Sequence, residues 1–250
     1  MMKSIVLLLT FLLCFSVSSQ DKLKVTKKSD WFGELKVTGF YMKGNTNKFY
    51  ILTGGEVKHQ DSIYTLDLIA SLDYGETKHI KDQNTLFGDF SADMYHYNLL
   101  SPLILQIGEH DYAKGIKFRS QSGGGLKLNF IQHPEHKTSI SLALIFDYTD
   151  LVDIPGNYDN KTLRLSWRFK TKQSLFDDRL RISNVTFFQP SVKSIINAIW
   201  RSETILEAPV LKFLSLIGSY LYTHNDIVSV GRLKSDHKVS FGLSLSSGKQ

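Results

Sequence analysis

Residues 138–148 read Thr-Ser-Ile-Ser-Leu-Ala-Leu-Ile-Phe-Asp-Tyr, and after a polar break residues 161–170 read Lys-Thr-Leu-Arg-Leu-Ser-Trp-Arg-Phe-Lys. In the first stretch Ile140, Leu142, Leu144, Phe146 and Tyr148 recur at every second position; in the second, Leu163, Leu165, Trp167 and Phe169 do. A period of two places alternate side chains on opposite faces of a β-strand. The reverse face of the second stretch carries Arg164, Ser166 and Arg168. Arginines are too costly to bury unpaired in a dry sandwich core, so the apolar stripe is expected to meet lipid and the arginines a hydrated or charge-paired interior.

Working outward, the rhythm recurs from residue 31 to residue 247. Strands are predicted over 31–43, 48–60, 63–78, 84–97, 103–113, 120–132, 138–148, 161–170, 180–188, 199–208, 213–224 and 238–246. The fold class this predicts is all-β: a transmembrane antiparallel up-and-down β-barrel of about 12 strands. Gly44-Asn45-Thr46-Asn47 tolerates positive φ and reads as a hairpin turn, whereas residues 79–83 read as a polar loop. With the N-terminus in the periplasm, the turns near residues 61, 99, 134, 175 and 210 are short. The opposite set, over 150–160, 189–198 and 225–236, is longer, as expected of an outer-membrane barrel. Trp31, Tyr41, Tyr95, Tyr97, Tyr148, Trp200, Tyr220 and Tyr222 fall near strand ends and are candidates for interfacial girdles.

An export signal precedes the strands. Lys3 supplies a basic start, and Ile5 to Val17 form an apolar run shorter than the ~18 to 20 residues of a bilayer span, with cleavage expected after Ser19. The chain therefore divides into a signal peptide (1–19), a periplasmic N-terminal segment (20–30) and the barrel (31–250). The lone Cys14 lies in the signal behind Leu13, where lipoprotein processing would want a small residue, so lipidation is not expected. Disulfides, zinc fingers and thiol nucleophiles drop out with it. Beyond the signal no apolar run approaches a helical span, so the membrane is crossed by closed strands.

The chain is 42% apolar and 12% aromatic, with a mean hydropathy of −0.14 and a net charge of +6 that falls by one when Lys3 leaves. Its basic residues are scattered along strands with no arm or recognition motif, so nucleic acid is not an expected partner. Outer-membrane lipid and the barrel-assembly machinery are, along with small ions or solutes if the lumen admits them.

Chemistry is sparse. None of the 8 histidines has a serine two residues after it on the same strand face, and Gly-x-Ser-x-Gly is absent, so no enzyme and no catalytic residue is expected. His133 and His136 flank a tight turn and read as solvated rather than as a metal site. The triple glycine Gly123 to Gly125 lacks the Lys-Ser/Thr of a phosphate loop and is read as a site of bending or close packing in a strand. No cofactor is expected. The candidate binding set is a group of lumen-facing charges: Asp67, Asp73, Asp89 and Asp93 on one wall, with Arg164, Arg168, Arg201 and Glu203 on other parts. Either they form a charge-separated pore, or they pair across a filled lumen and plug it.

Trp-Phe-Gly-Glu at 31–34, the Gly44–Asn47 turn, Gly88-Asp89-Phe90-Ser91 and the barrel-like remainder resemble the salt-induced outer-membrane proteins of domain-of-unknown-function family 481. The resemblance spans nearly the whole mature chain and implies an outer-membrane barrel with no established activity. The function expected is a narrow pore or an envelope-integrity protein, tied to salt or osmotic response through the resemblance alone. The alternatives are a soluble exported ligand-binding barrel, which usually has about 8 strands, and an outer-membrane lipid hydrolase.

Overall fold

A computed structural model describes residues 30–42, 48–153 and 160–247. They form β1 (Asp30–Met42), β2 (Lys48–Gln60), β3 (Tyr64–Thr77), β4 (Ile80–Met94), β5 (Leu100–Asp111), β6 (Ile116–Gln132), β7 (His136–Leu151), β8 (Lys161–Leu175), β9 (Leu180–Pro190), β10 (Ala198–Pro209), β11 (Leu214–Asn225) and β12 (Ser235–Ser246). Each strand pairs antiparallel with its neighbour in sequence. β1 closes on β12 with Val37 opposite Leu243, so no edge is left open. The expected signal peptide, the segment 20–29 and the Gly44 to Asn47 turn lie outside the described residues.

The alternation resolves into two faces. Leu35, Leu68, Leu86, Ile104, Leu126, Leu142, Leu163, Leu206, Leu216 and Leu243 all point outward and are exposed. On the reverse face of the same strands, Thr38, Asp67, Asp89, Ser101, Ser141, Arg164, Ser215 and Ser244 are buried. This inversion of the usual soluble pattern is what lipid as solvent requires. Aromatic contacts gather near the strand ends: Trp31 against His59 at 4.4 Å at the end holding the termini, and Trp200 against Tyr222 at 5.6 Å at the other. Tyr97 does not join a girdle, because its hydroxyl accepts a hydrogen bond from the inward-facing Gln60 at 2.8 Å. The side chain of Tyr41 lies outside the described residues.

Two features differ from the sequence reading. Residues 79–83 are not a loop: β3 and β4 are joined by a tight turn at Lys78 and His79, both with positive φ (52° and 64°), and β4 begins at Ile80. Such a turn normally takes Asn-Gly, and that signal is missing here. The interior is also not wholly polar. Leu103, Leu105, Ile107, Ala143 and Ile145 form a buried apolar patch with Phe87 packed against it.

The glycines explain the shape of the section. Gly123 and Gly125 are paired with Ile145 and Ala143, and a Cβ on either would collide with the carbonyl oxygens of Leu144 and Leu142. On β12, a Cβ on Gly242 would collide with the carbonyl oxygen of Val37. β6 and β12 lie six places apart around the ring. Two opposed corners, each permitted by missing side chains, fold the sheet into two facing walls.

Candidate functional site

Twelve strands spaced about 4.8 Å apart and tilted about 40° would close a circle roughly 24 Å across. The lumen is narrower along one axis. The guanidinium of Arg201 on β10 lies 4.7 Å from the ring centroid of Phe87 on β4, six places around the barrel. An extended arginine reaching a phenylalanine at that separation spans only about 15 Å between backbones. The section is therefore oval, with walls close enough for side chains to meet.

They meet at two levels. Near the end holding the termini, Lys170 on β8 pairs with Asp67 on β3 at 3.7 Å. The Arg201–Phe87 contact lies in the loop-end half, since Arg201 is the register partner of Thr223 and Phe87 that of Glu109. At the loop end, Lys114 in the β5–β6 turn donates to Thr223 on β11 at 2.9 Å and pairs with Asp111 at 3.5 Å and Asp236 at 3.9 Å. Lys238 on β12 also reaches Asp73 on β3, and Lys127 on β6 reaches Asp93 on β4.

The loop end is tied further by a buried chain of charges. Arg119 donates to Glu109 at 2.6 Å and to Thr149 at 3.0 Å, and Thr149 donates to Asp147 at 3.0 Å. Asp147 accepts from Arg164 at 2.6 Å, whose remaining donors reach the carbonyl oxygen of Asn197 at 2.9 Å and that of Gln189 at 3.2 Å. A carboxylate as deeply buried as Asp147 is tolerable only when paired and hydrogen-bonded in this way. A cavity of about 40 Å³ remains beside the chain, lined by Phe87, Glu109, Lys114, Arg119, Arg201 and Thr223. That is room for little beyond water.

All eight charges singled out in the sequence face this interior. Asp67, Asp73, Asp89 and Asp93 occupy the β3–β4 wall, and their inward orientation follows from the register Asp67↔Ser91 and Asp73↔Thr85. Arg164 joins the loop-end chain. Arg168 lies over the ring of Phe187 at 4.9 Å, and Asp89 sits in the field of Arg168 and Arg201. Arg201 is 3.5 Å from Glu203. Sequence reading missed Glu109, Lys114, Arg119 and Asp147, and the lysines Lys58, Lys137, Lys170 and Lys172. Parity would have found Lys170 and Lys172, which share the face of Arg164 and Arg168. Nothing local marks Lys114, since it comes from a turn folded inward.

His133 and His136 engage neighbours: the N–H of Glu135 donates to His133 Nδ1 at 3.4 Å, and His136 Nε2 lies 2.8 Å from Thr138 Oγ1. Among the described residues no three His, Cys, Asp or Glu side chains are grouped as metal ligands. A serine and a histidine do meet, across strands rather than along one. His224 Nδ1 is 2.7 Å from Ser235 Oγ, and His224 Nε2 is 3.2 Å from Asp226 Oδ1. Asp226 also caps the N–H of Ala198 at 2.9 Å.

Residues 35–246 match the model of a family described as protein of unknown function, DUF481. No curated protein sequence matches the chain. Among solved structures it is similar to the NanC porin, at 9% identity over 85% of this chain and 98% of that one, with a TM-score of 0.52. Weaker likenesses include the outer membrane channel DcaP of Acinetobacter baumannii (8% identity, 87% and 96% covered, TM-score 0.43). Another is the translocator domain of the autotransporter NalP from Neisseria meningitidis (9% identity, 89% and 89% covered, TM-score 0.43). At these identities the likeness is one of fold.

Proposed function

The chain belongs to the DUF481 family, whose function is unknown, and from that premise we propose that it is an exported outer-membrane barrel held shut by its own lumen charges. Its role is envelope integrity in a Gram-negative-type bacterium rather than free passage of solutes. The observation that carries this reading is the set of contacts spanning the oval lumen, Lys170 to Asp67 near the end holding the termini, and Arg201 to Phe87 and Lys114 to Thr223 near the loop end. The apolar exterior supports a membrane location, and the short turns at the end holding the termini support a periplasmic placement of that end. The salt link implied by the family resemblance has a physical counterpart. Salt screens exposed pairs more than buried ones, and the Lys170 side chain is 42% exposed, so its bridge to Asp67 weakens as ionic strength rises.

Planar-bilayer recording tests the reading. The refolded protein is expected to show no steady open level at low voltage, and R201A combined with K114A is expected to raise conductance several-fold. A large steady conductance in the wild type, unchanged by the two substitutions, contradicts it.

The Ser235–His224–Asp226 chain favours a second reading, a lipid hydrolase with its site on the outer face at the loop end. Base and nucleophile are within reach, and the acid orients the base. It ranks second because capping Ala198 already accounts for Asp226. Labelling by a fluorophosphonate that disappears in S235A supports it; an unlabelled wild type removes it.

A further inference from the structure

We infer that the outer wall centred on β10 is the contact surface of a dimer in the membrane, formed with a second copy of this chain. Asn184, Thr186, Ser202 and Thr204 share the lipid-facing parity of β9 and β10 with the exposed Phe188, Trp200 and Leu206. They are register partners in pairs, Ser202 with Thr186 and Thr204 with Asn184. Strands of 11 and 12 residues are just long enough to cross a bilayer, and the four stand at the fifth and seventh places of each. The cluster therefore lies near the midplane, at the strand position where β7 presents Leu142 and Leu144 to lipid.

The four side chains are bonded to one another without being exhausted. Asn184 Nδ2 donates to Thr204 Oγ1 at 2.9 Å and to the carbonyl oxygen of Glu203 at 3.2 Å, and Thr186 donates to Asn184 Oδ1 at 3.0 Å. Ser202 Oγ lies 2.8 Å from Thr186 Oγ1, and with the Thr186 proton committed to Asn184 it is Ser202 that donates. Thr204 accepts, but its own proton has no acceptor among the described residues. Hydrocarbon offers none, and a polar group left unpaired in it is costly. Lipid headgroups stand about half a bilayer away, so at the midplane only another membrane protein can complete the set.

The patch is complementary to itself. Its amide and hydroxyls both donate and accept, and a two-fold axis along the membrane normal sets each group against its own kind at equal depth. The short axis of the oval runs from β4 to β10, so β10 stands at the middle of a broad wall, and two such walls meet over several strands rather than along one line. Four strands about 6 Å apart along the perimeter and an apolar band about 25 Å tall give roughly 600 Å² per copy, about 1,200 Å² in all, the low end of stable interfaces. Toward the loop end Trp200 stands edge-on to Phe188 at 6.5 Å and to Tyr222 at 5.6 Å, adding a fixed aromatic row to the contact. A smaller polar group, Gln106 with Ser120 and Ser122, faces lipid on β5 and β6 beside the glycine corner, where the wall curves away. The inference rests on the membrane-spanning barrel but not on a closed lumen, so conductance has no bearing on it.

Sedimentation equilibrium of the full chain, refolded in density-matched detergent, tests the inference. The wild type is expected to form dimers whose fraction rises with the protein-to-detergent ratio. N184L combined with T204V should weaken association at least tenfold. In excess detergent, where wild type and variant are both monomers, the double variant should melt no lower, because it replaces polar groups on a lipid-facing surface by apolar ones. T204S, which keeps the hydroxyl, and Q106L, on the other polar group, should both retain the dimer. A monomeric wild type, which would leave the patch to a different barrel or to lipid, overturns the inference. So does equal association by the double variant, or a double variant whose monomer melts lower, the mark of a bolt between β9 and β10 rather than of a contact. Dissociation by Q106L with the double variant still dimeric overturns it as well.

Discussion

Asp61 shows how a single side chain sets a turn in this barrel. Its Oδ1 accepts the N–H of Tyr64 at 2.8 Å and that of Ile63 at 2.6 Å, and these two hydrogen bonds, Tyr64 first, hold its carboxyl below the usual carboxylate range. Because the folded pKa is depressed, the contribution is complete above the unfolded value of about 3.9 and is lost as pH falls through the folded value. Hydrogen exchange at the Ile63 and Tyr64 amides should therefore accelerate below about pH 4 in the wild type. In D61A it should be fast already at neutral pH; equal protection in both proteins would remove Asp61 from the turn. At this scale the sequence was informative about orientation and silent about partners. Parity around Arg164 and Arg168 assigned eight charges to the interior, but nothing local links Lys170 to Asp67 or Lys114 to Thr223, which are brought together only by closure of the ring.

Strands were legible because lipid on one side and paired charge on the other impose a strict alternation, clearest in β7 and β8. Their ends were not. β3 and β4 extend to a two-residue turn at Lys78 and His79 that carries none of the Asn or Gly chemistry that usually announces positive φ. The glycines of β6 were recognised as a bending or packing site, and the alternation separates their roles. Gly123 and Gly125 face inward with no room for a Cβ, while Gly124 faces outward. G125A should lower the urea midpoint of unfolding by an amount corresponding to about 1 to 3 kcal/mol, the usual cost of overpacking. G108A, on an outward position of β5 with no heavy atom within 4 Å of its Cβ, should leave the midpoint unchanged. Equal midpoints for the two variants would deny β6 its part in the corner.

At the scale of the molecule, strand number alone left the lumen open to either reading, since a circular barrel of this size is wide enough to hold water. What decides between them is cross-sectional shape, and that depends on the two opposed glycine corners and on the apolar patch beside one of them, neither of which a period-two pattern reveals. The bridges across the lumen follow from the oval section. Pulsed electron–electron spin resonance on two doubly labelled proteins measures it directly. One carries outward labels at L86C and S202C, on β4 and β10; the other carries them at V37C and L142C, on β1 and β7. A fixed perimeter with a short axis of about 15 Å predicts that the first distance is shorter than the second by roughly 10 Å. Equal distances would describe a circular barrel, and the closed lumen would not stand.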